Sequence, residues 1–201
     1  MLRRCVDAMA ARPKIFDALR WILEAGYRGH HRTIERELLT TSGPVLDLGC
    51  GTGVFAPCFA VDDYLGVDLS PTYIEAAARK HPAHRFAVMD ARQLPLPDHS
   101  FDRAFISGML HHLSDEDCAT VLSEIERVAH PSGRVVIWED VPTRSAWNLP
   151  GRLIHRLDLG DRIRDPAGYR QMIAQRFDIE SEWPLRSGCM DYVVFRCRAR
   201  P

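Results

Sequence analysis

Hydrophobic residues near the start of the chain recur at helical spacing. Residues 14–25 predict an amphipathic helix that ends at Gly26, since glycine favours helix termination. The positions on its apolar stripe are Ile15, Leu19, Ile22 and Leu23. A second helix is predicted over residues 30–40, and its inward positions are Ile34, Leu38 and Leu39. The two helices indicate a helical cap over residues 1–43, ahead of the main fold.

From residue 44 the pattern changes to short apolar runs that alternate with helices. The predicted strands cover residues 44–48, 64–68, 84–90, 101–107 and 134–140. The helices among them are predicted over residues 71–80 and 114–129. Short buried strands separated by helices are typical of a parallel sheet with right-handed crossovers. The pattern therefore predicts an α/β fold of three layers, with helices on both faces of the sheet.

Beyond residue 141 the regular alternation of predicted strands and helices ends. Prolines and glycines recur through residues 142–168, which we interpret as a lid-like insertion. A helix is predicted over residues 169–176, and two strands are predicted over residues 177–185 and 190–198. Because no helix separates these strands, we expect an antiparallel hairpin at the sheet edge. The sheet would then have seven strands and be mostly parallel.

Composition and charge narrow the class of protein. The chain has 201 residues, of which 46% are hydrophobic and 26% charged, as expected for one folded domain. A net charge of −1 argues against the positive field that non-specific nucleic-acid binding requires. The 6 cysteines form no C-x-x-C pair, so we expect reduced thiols and no metal site. We find neither a signal-peptide core nor a membrane-length apolar run, and we expect a cytoplasmic protein without stable membrane insertion.

The strongest chemical signal is the segment VLDLGCGTG, at residues 45–53, where a buried strand runs into a glycine-rich turn. The three glycines, Gly49, Gly51 and Gly53, let the backbone turn tightly and approach a ligand closely. Asp47 places a carboxylate beside that ligand, which suits a cationic group and disfavours a phosphate.

Two further carboxylates follow the next two predicted strands. Asp68 ends the strand YLGVD, where a carboxylate can accept hydrogen bonds from both ribose hydroxyls of a nucleoside. A role as helix N-cap is less favoured for Asp68, because Ser70 before Pro71 already fills that position. Asp90 ends the third strand, where it could meet an adenine amino group. Three acidic residues at successive strand ends predict one polar crevice at the carboxyl edge of the sheet.

These motifs resemble those of the class I S-adenosylmethionine-dependent methyltransferases, in the branch that includes quinone and small-molecule methyltransferases. The likeness rests on VLDLGCGTG, GVDLS, DARQLPLPDHSFDRAFISGMLHHL and EIERVAHPSGRVVIWE, and it covers residues 44–140. It implies a Rossmann-like fold with S-adenosylmethionine as cofactor, a methyltransferase domain over residues 44–201, and no metal.

The resemblance also implies roles for individual residues. Asp47 and the glycine loop would hold the methionine part of the cofactor, and Asp68 would hold the ribose. Asp90 and Ala91 would flank the adenine, and Ser107 would lie beside the cofactor. The complete implied set is Asp47, Gly49, Cys50, Gly51, Gly53, Asp68, Leu69, Asp90, Ala91 and Ser107.

A general base is needed only when the nucleophile is a neutral hydroxyl or an acidic carbon. The candidates are His111 and His112, directly after the fourth strand, although a histidine here can also serve as scaffold. The candidates for substrate contact are Trp147, His155 and Tyr169. For each of these three taken singly, packing in a lid is the favoured interpretation.

We therefore predict in-line methyl transfer to an O, N or C nucleophile of a small molecule, for which an apolar body would fit. A protein that binds the cofactor without turnover, as a regulatory or assembly partner, is the alternative. An NAD-dependent oxidoreductase is a less favoured hypothesis than either of these. Residues 51–56 match its G-x-G-x-x-A fingerprint, but Asp47 would lie beside the pyrophosphate. Nucleic acid is a disfavoured substrate because the fourth strand ends in ISGM and not in an Asn-Pro-Pro-Tyr-like clamp. The oligomeric state stays open.

Overall fold

A computed structural model describes residues 13–145, 147–152 and 162–200 of the chain. The principal helices are α1 (Pro13–Leu23), α2 (Arg28–Glu37), α3 (Pro71–Lys80), α4 (Asp115–Val128) and α5 (Pro166–Ile173). The strands are β1 (Val45–Leu48), β2 (Tyr64–Asp68), β3 (Arg85–Val88), β4 (Phe101–Ser107), β5 (Ala129–Asp140), β6 (Phe177–Ser187) and β7 (Met190–Ala199). Two 3-10 turns, Ala56–Cys58 and Leu110–His112, follow β1 and β4.

The strands form one sheet of seven in the order β3-β2-β1-β4-β5-β7-β6. β1 to β5 are parallel, and β7 runs antiparallel to both β5 and β6. Val45 of β1 lies opposite Tyr64 of β2 on one side and opposite Arg103 of β4 on the other. The predicted α/β fold, its seven strands and its antiparallel C-terminal hairpin are confirmed.

The helix predicted over residues 169–176 is displaced, because it begins at Pro166. The Asp165 carboxylate caps this helix by accepting a hydrogen bond from Gly168 N at 2.7 Å. An Asp cap followed by proline is a strong start signal, and here it starts the helix three residues earlier than predicted.

The ends of two predicted strands also differ from the structure. β3 was predicted to reach residue 90 but ends at Val88, so Asp90 lies in the loop beyond it. β5 was predicted to start at Arg134 but begins at Ala129, and its register against β4 shifts before regular pairing resumes at Arg134.

Both faces of the sheet are covered by apolar side chains. The face toward α4 and α5 buries residues such as Leu46, Ile106, Leu122, Ile125 and Val135. The face toward α2 buries residues such as Val45, Phe55, Phe105, Trp138 and Val194. Successive residues of each strand point to opposite faces, and this produces the alternation of Val45 and Leu46. The core thus makes the three layers that the sequence predicts.

The apolar stripe of α1 does not face this core. Leu19 is 38% exposed and Ile22 is 68% exposed, whereas Leu23 is half-buried. The charged residues Arg20, in α1, and Glu24, directly after its end, are turned inward instead. Helical spacing thus identifies an apolar stripe in this helix, two of whose residues face solvent. In α2 the inward prediction holds for Ile34 and Leu38 and fails for Leu39, which lies beyond the helix end and is 43% exposed.

The turn between β6 and β7 holds the end of α1. Cys189 N donates a hydrogen bond to Leu23 O at 2.9 Å, and Ser187 Oγ donates to Glu24 O at 2.8 Å. These bonds satisfy carbonyls that a helix end leaves without partners. Gly188 lies between the two donors with φ of +57°, and a Cβ at this position would overlap the Leu23 carbonyl oxygen. Only glycine allows α1 to approach this turn so closely.

We expect the Gly188→Ala substitution to lower the free energy of unfolding by at least about 2 kcal/mol, since it adds backbone overlap to the cost of a positive φ. The thermal midpoint should fall by roughly 4–8 °C. Gly26→Ala is the matched control, because Gly26 has φ of +68° and its Cβ would meet only the Trp21 side chain, at 3.4 Å. Equal losses in the two variants would contradict the proposed close approach.

Candidate cofactor and acceptor site

The order of strands places a crevice at one point of the sheet. Chain order runs outward from β1 through β2 to β3, and then resumes on the other side of β1 with β4 and β5. The connections that leave β1 and β4 therefore diverge, and a crevice opens at the carboxyl ends of these two strands. This is where open α/β sheets bind their ligands.

The glycine loop forms one wall of that crevice. It is fastened to β2, because Gly49 N and Cys50 N both donate hydrogen bonds to Val67 O, at 2.8 and 3.0 Å. Gly53 has φ of +70°, and a Cβ there would lie 2.8 Å from the Phe86 ring. Gly51 also has a positive φ, but no atom lies within 4 Å of where its Cβ would be. The loop is therefore packed beneath Gly53 and open above Gly51, which leaves room for a ligand.

Asp68 fastens the same loop from the end of β2. Its carboxylate accepts hydrogen bonds from Gly51 N at 2.9 Å and from Ser70 N at 2.8 Å. Ser70 is the N-cap of α3, as predicted, and its Oγ accepts a hydrogen bond from Tyr73 N at 3.3 Å. Asp68 is therefore not the N-cap residue of α3. It lies half-buried at the end of β2. Leu69 beside it is 63% exposed.

Asp47 lies at the floor of the site, where it is only 1% exposed. Its Oδ2 accepts a hydrogen bond from Tyr64 Oη at 2.6 Å, while Oδ1 has no hydrogen-bond partner among the described residues. Burial raises the pKa of Asp47 to about 7, and the nearby charge of Asp68 adds to this effect. A buried carboxylate with one unsatisfied oxygen stabilises a cationic or N–H donor beside it.

The Asp90 carboxylate is paired with the side chain of Arg92. Arg92 Nε lies 3.0 Å from Asp90 Oδ1, and Arg92 Nη2 lies 2.7 Å from Asp90 Oδ2. These hydrogen bonds hold the pKa of Asp90 below its usual value. Arg92 also reaches Asp117 at the start of α4, at 3.1 Å. The predicted adenine contact of Asp90 would therefore involve a carboxylate that already pairs with an arginine, and Ala91 lies half-buried beside it.

The segment after β4 forms the opposite wall, and Glu139 of β5 shapes it. Glu139 Oε1 accepts hydrogen bonds from Met109 N at 2.9 Å and Leu110 N at 2.8 Å. Its Oε2 lies 3.0 Å from His111 Nδ1. Ser107 is half-buried at the start of this segment. Sequence analysis did not identify Glu139. Its only sequence signal is an acidic residue near the end of a strand that is otherwise apolar, which is too weak to single it out.

The two candidate histidines occupy different environments. His111 is 2% exposed, and its Nδ1 also lies 3.7 Å from Asp140 Oδ2. His112 is exposed, with its ring centroid 4.0 Å from that of His111. Because both Glu139 oxygens also accept hydrogen bonds from backbone N–H groups, we assign the proton of the contact to His111 Nδ1. A histidine whose Nδ1 is fixed in this way has Nε2 in the basic form.

A second group of buried polar residues lies under α1, and we call Arg20, Glu24, His30 and Tyr192 the cap network. Arg20 pairs with Glu24 at 2.9 Å, and Tyr192 Oη donates a hydrogen bond to Glu24 Oε1. Burial raises the pKa of Glu24 to about 7 and lowers the pKa of His30 to about 3.

The cap network lies above the ends of β5 and β7. Tyr192 pairs with Asp140 in the sheet, and the charge of Asp140 contributes to the raised pKa of Glu24. No sequence pattern specifically indicates this cluster. Its only trace is the i, i+4 spacing of Arg20 and Glu24 on a helix whose other positions are mostly apolar.

The predicted substrate residues are not brought together. Trp147 is 92% exposed, whereas Tyr169 is fully buried beneath Arg164, whose backbone N–H donates to its hydroxyl at 3.4 Å. Burial raises the pKa of Tyr169. His155 lies outside the described residues. Tyr169 is thus a packing residue in this structure, and Trp147 faces solvent.

A separate groove of about 400 Å³ lies at the amino edge of the sheet. Its lining includes Thr41, Asp102, Gly133, Arg134, Glu180 and Arg198, and none of the predicted cofactor residues. In the part of the chain that the structure describes, no cluster of three or more His, Cys, Asp or Glu side chains is arranged for a metal ion. Among the same residues, no helix is both long and apolar enough to cross a bilayer.

Comparisons with known proteins agree with this geometry. The methyltransferase domain family matches residues 46–137. The demethylmenaquinone methyltransferase of Thermus thermophilus is 32% identical over 149 residues, which cover 69% of this chain and 67% of that protein. The malonyl-(acyl-carrier protein) O-methyltransferase of Serratia marcescens is 34% identical over 94 residues, 46% of this chain and 36% of that protein.

A solved structure shows the same fold over the full length. It is the putative methyltransferase seen in complex with the Haloferax volcanii Trm112 methyltransferase activator, with a TM-score of 0.72 and 18% identity. The match covers 100% of this chain and 98% of that chain. The curated relatives described above are longer, and the chain spans about a third of one and two thirds of the other. With these matches, the chain belongs to the class I S-adenosylmethionine-dependent methyltransferases, of the small-molecule branch, and its cofactor is S-adenosylmethionine.

Proposed function

We propose that this protein transfers the methyl group of S-adenosylmethionine to a small molecule with an apolar body. The observation that carries the proposal is the geometry around Asp68, whose carboxylate lies at the end of β2 and is bonded to the open glycine loop through Gly51 N. This geometry supports a nucleoside held between β2 and the loop.

The described residues fit the cofactor part by part. Asp68 is placed to accept hydrogen bonds from the ribose hydroxyls, and the open space above Gly51 admits the chain that joins sugar and sulfur. Asp47, with its unsatisfied Oδ1, supplies negative charge close to the ammonium and sulfonium groups. Ala91 would contact the adenine, and Asp90 would meet its amino group while remaining paired with Arg92.

The bound cofactor supplies an electrophilic methyl group on a positively charged sulfur, so the protein's task is alignment and exclusion of water. Asp47, Asp68 and Asp90 would hold the cofactor at the carboxyl ends of β1, β2 and β3, which leaves the ends of β4 and β5 for the acceptor. There the described chain offers Gly108, His111 and Asp140, and Asp140 pairs in the sheet with Tyr192 of the cap network. The nucleophile of the acceptor would approach the methyl group from this side.

His111 is the base in this proposal when the acceptor carries a neutral hydroxyl or an acidic carbon. Glu139 fixes the His111 ring at 3.0 Å, and a ring held in this way can take a proton at Nε2. Glu139 acts as a positioning residue, since it also holds the backbone of Met109 and Leu110. Support for an apolar acceptor comes from the Thermus thermophilus relative, whose name specifies demethylmenaquinone.

S-adenosylhomocysteine at about 100 times its dissociation constant should stabilise the protein by roughly 2.7 kcal/mol. For a chain of this size the thermal midpoint should rise by roughly 5–10 °C. Asp68→Ala should remove this shift, because its carboxylate is the proposed ribose acceptor. Asp98→Ala is the matched control, since Asp98 is an exposed carboxylate that pairs with Arg127 away from the crevice. A shift with NAD in place of S-adenosylhomocysteine would contradict the proposal.

Methyl-labelled S-adenosylmethionine, incubated with the protein and a cell lysate, should label the fraction that extracts into organic solvent. The label should fall at least about tenfold in Asp68→Ala, which corresponds to about 1.4 kcal/mol of lost binding. Label that appears only in protein or nucleic acid would exclude an apolar small molecule as the acceptor.

Without cofactor, the free energy of unfolding should fall as the pH rises from about 6.5 to about 8. Asp47 and Glu24 each have a folded pKa of about 7, above their ordinary values of 3.8 and 4.5. The folded state therefore keeps protons that the unfolded state has released, and this contribution is lost as the pH passes 7. Each group contributes a slope of up to about 1.4 kcal/mol per pH unit.

Asp47→Asn and Glu24→Gln should each flatten part of this slope, and the double variant should flatten most of it. His30 has the opposite effect, because its pKa is lowered from 6.5 to about 3. Since the unfolded side chain is still half protonated at about pH 6.5, this smaller rise in stability is complete only by about pH 7.5 and offsets part of the fall. Chemical denaturation at several pH values measures the slope. A wild-type stability that stays constant or rises between pH 6.5 and 8 would contradict the assigned protonation of Asp47 and Glu24.

A further inference from the structure

Three large apolar residues of helix α1 are exposed to solvent. Leu19, Trp21 and Ile22 are 38%, 61% and 68% exposed. At 100° per residue Leu19 and Ile22 lie on the half of the helix opposite the inward pair Arg20 and Glu24, and Trp21 lies on the flank between the two halves. A helix that packs only on its own core has the reverse arrangement, so the outer face of α1 suits an apolar environment outside the fold.

A second exposed apolar group lies next to this face. Trp147 is 92% exposed and Leu149 is 69% exposed, and they flank Asn148. Asn148 Nδ2 donates a hydrogen bond to Cys189 O at 2.7 Å, while Cys189 N donates to Leu23 O at 2.9 Å. One residue of the β6–β7 turn therefore joins the two segments. We call the five exposed side chains the apolar rim: Leu19, Trp21, Ile22, Trp147 and Leu149.

The exposed charged side chains around the apolar rim are all positive. The three segments that meet there are residues 18–29, 141–152 and 184–191. Their exposed charged residues are Arg28, Arg144, Arg152 and Arg186. Their two carboxylates are turned inward, with Glu24 at 0% and Asp191 at 6% exposure. In these described segments, the surface thus combines tryptophans with arginines and exposes no acidic residue.

Exposed tryptophans beside arginines are typical of proteins that bind the surface of an anionic bilayer. Single exposed apolar residues are common, but a cluster with two tryptophans indicates a contact surface. Tryptophan favours the interface between headgroups and acyl chains, and arginines are attracted to an anionic surface. We propose that the apolar rim docks this protein on a membrane surface that contains anionic phospholipids.

Charge disfavours a second copy of the chain as the occupant. A symmetric dimer through this face would bring two identical sets of arginines together without an exposed carboxylate between them. Like charges in contact are destabilising, whereas phosphate groups of lipids would neutralise them. Docking would also place α1, and the cap network beneath it, at the membrane surface. An apolar acceptor dissolved in the bilayer would then be close to the acceptor side of the site.

Flotation of the full chain with lipid vesicles tests the proposal without cofactor or acceptor, so its outcome is independent of the proposed methyl transfer. The protein should float with vesicles of phosphatidylcholine plus phosphatidylglycerol and much less with phosphatidylcholine alone. Salt should weaken the association, because screening shortens the range of the arginine contacts. Tryptophan emission should shift to the blue on binding, as Trp21 and Trp147 leave water.

The double variant Ile22→Ser and Trp147→Ser should lose at least about tenfold in vesicle partition, with no change in thermal midpoint since both side chains are exposed. Val61→Ser is the matched control, because Val61 is 39% exposed and lies outside the three segments. Unchanged partition of the double variant, or absence of flotation with both vesicle types, would overturn the proposal. A dimer in light scattering that the double variant dissociates would instead make this face an interface between copies.

Discussion

The reversal of strand order beside β1 is the constraint on which the rest of the structure depends. The chain builds β2 and β3 on one side of β1 and then β4 and β5 on the other. The two connections cannot cover the same strand end, so the backbone itself leaves a crevice there. The glycine loop, Asp68 and the segment after β4 are each placed by the strand that precedes them. The chemistry of the site follows from this placement.

In the crevice and in the cap network, burial of an acidic group opposes stability. Asp47 and Glu24 are almost completely buried, and burial raises the pKa of both to about 7. Each has only limited compensation, from Tyr64 in one case and from Arg20 and Tyr192 in the other. Such groups make a site receptive to positive charge, which S-adenosylmethionine carries on its sulfur and its amino group. Burying these carboxylates lowers the stability of the cofactor-free protein. We interpret the relief of this destabilisation on binding as a source of part of its affinity for S-adenosylmethionine.

The sequence could predict the parts of the site that depend on local order along the chain. The strands, the glycine loop and Asp68 follow from periodicity and spacing, and the structure places them as expected. Glu139 and the cap network depend on residues far apart in sequence, such as Glu24 and Tyr192, and no local pattern reveals them. For a related reason, the sequence does not reveal that Leu19 and Ile22 of α1 face outward. Helical spacing identifies a stripe, but only the neighbours decide which side of the helix is buried.

Hydrogen exchange, measured by mass spectrometry with and without S-adenosylhomocysteine, tests the central claim most directly. The account predicts that the ligand slows exchange in the glycine loop at residues 49–53 and in the segment 107–112 after β4. The groove at the amino edge, around Thr41 and Arg134, should exchange as before. Protection confined to that groove, with none in the glycine loop, would contradict the placement of the cofactor at the carboxyl ends of β1 and β4.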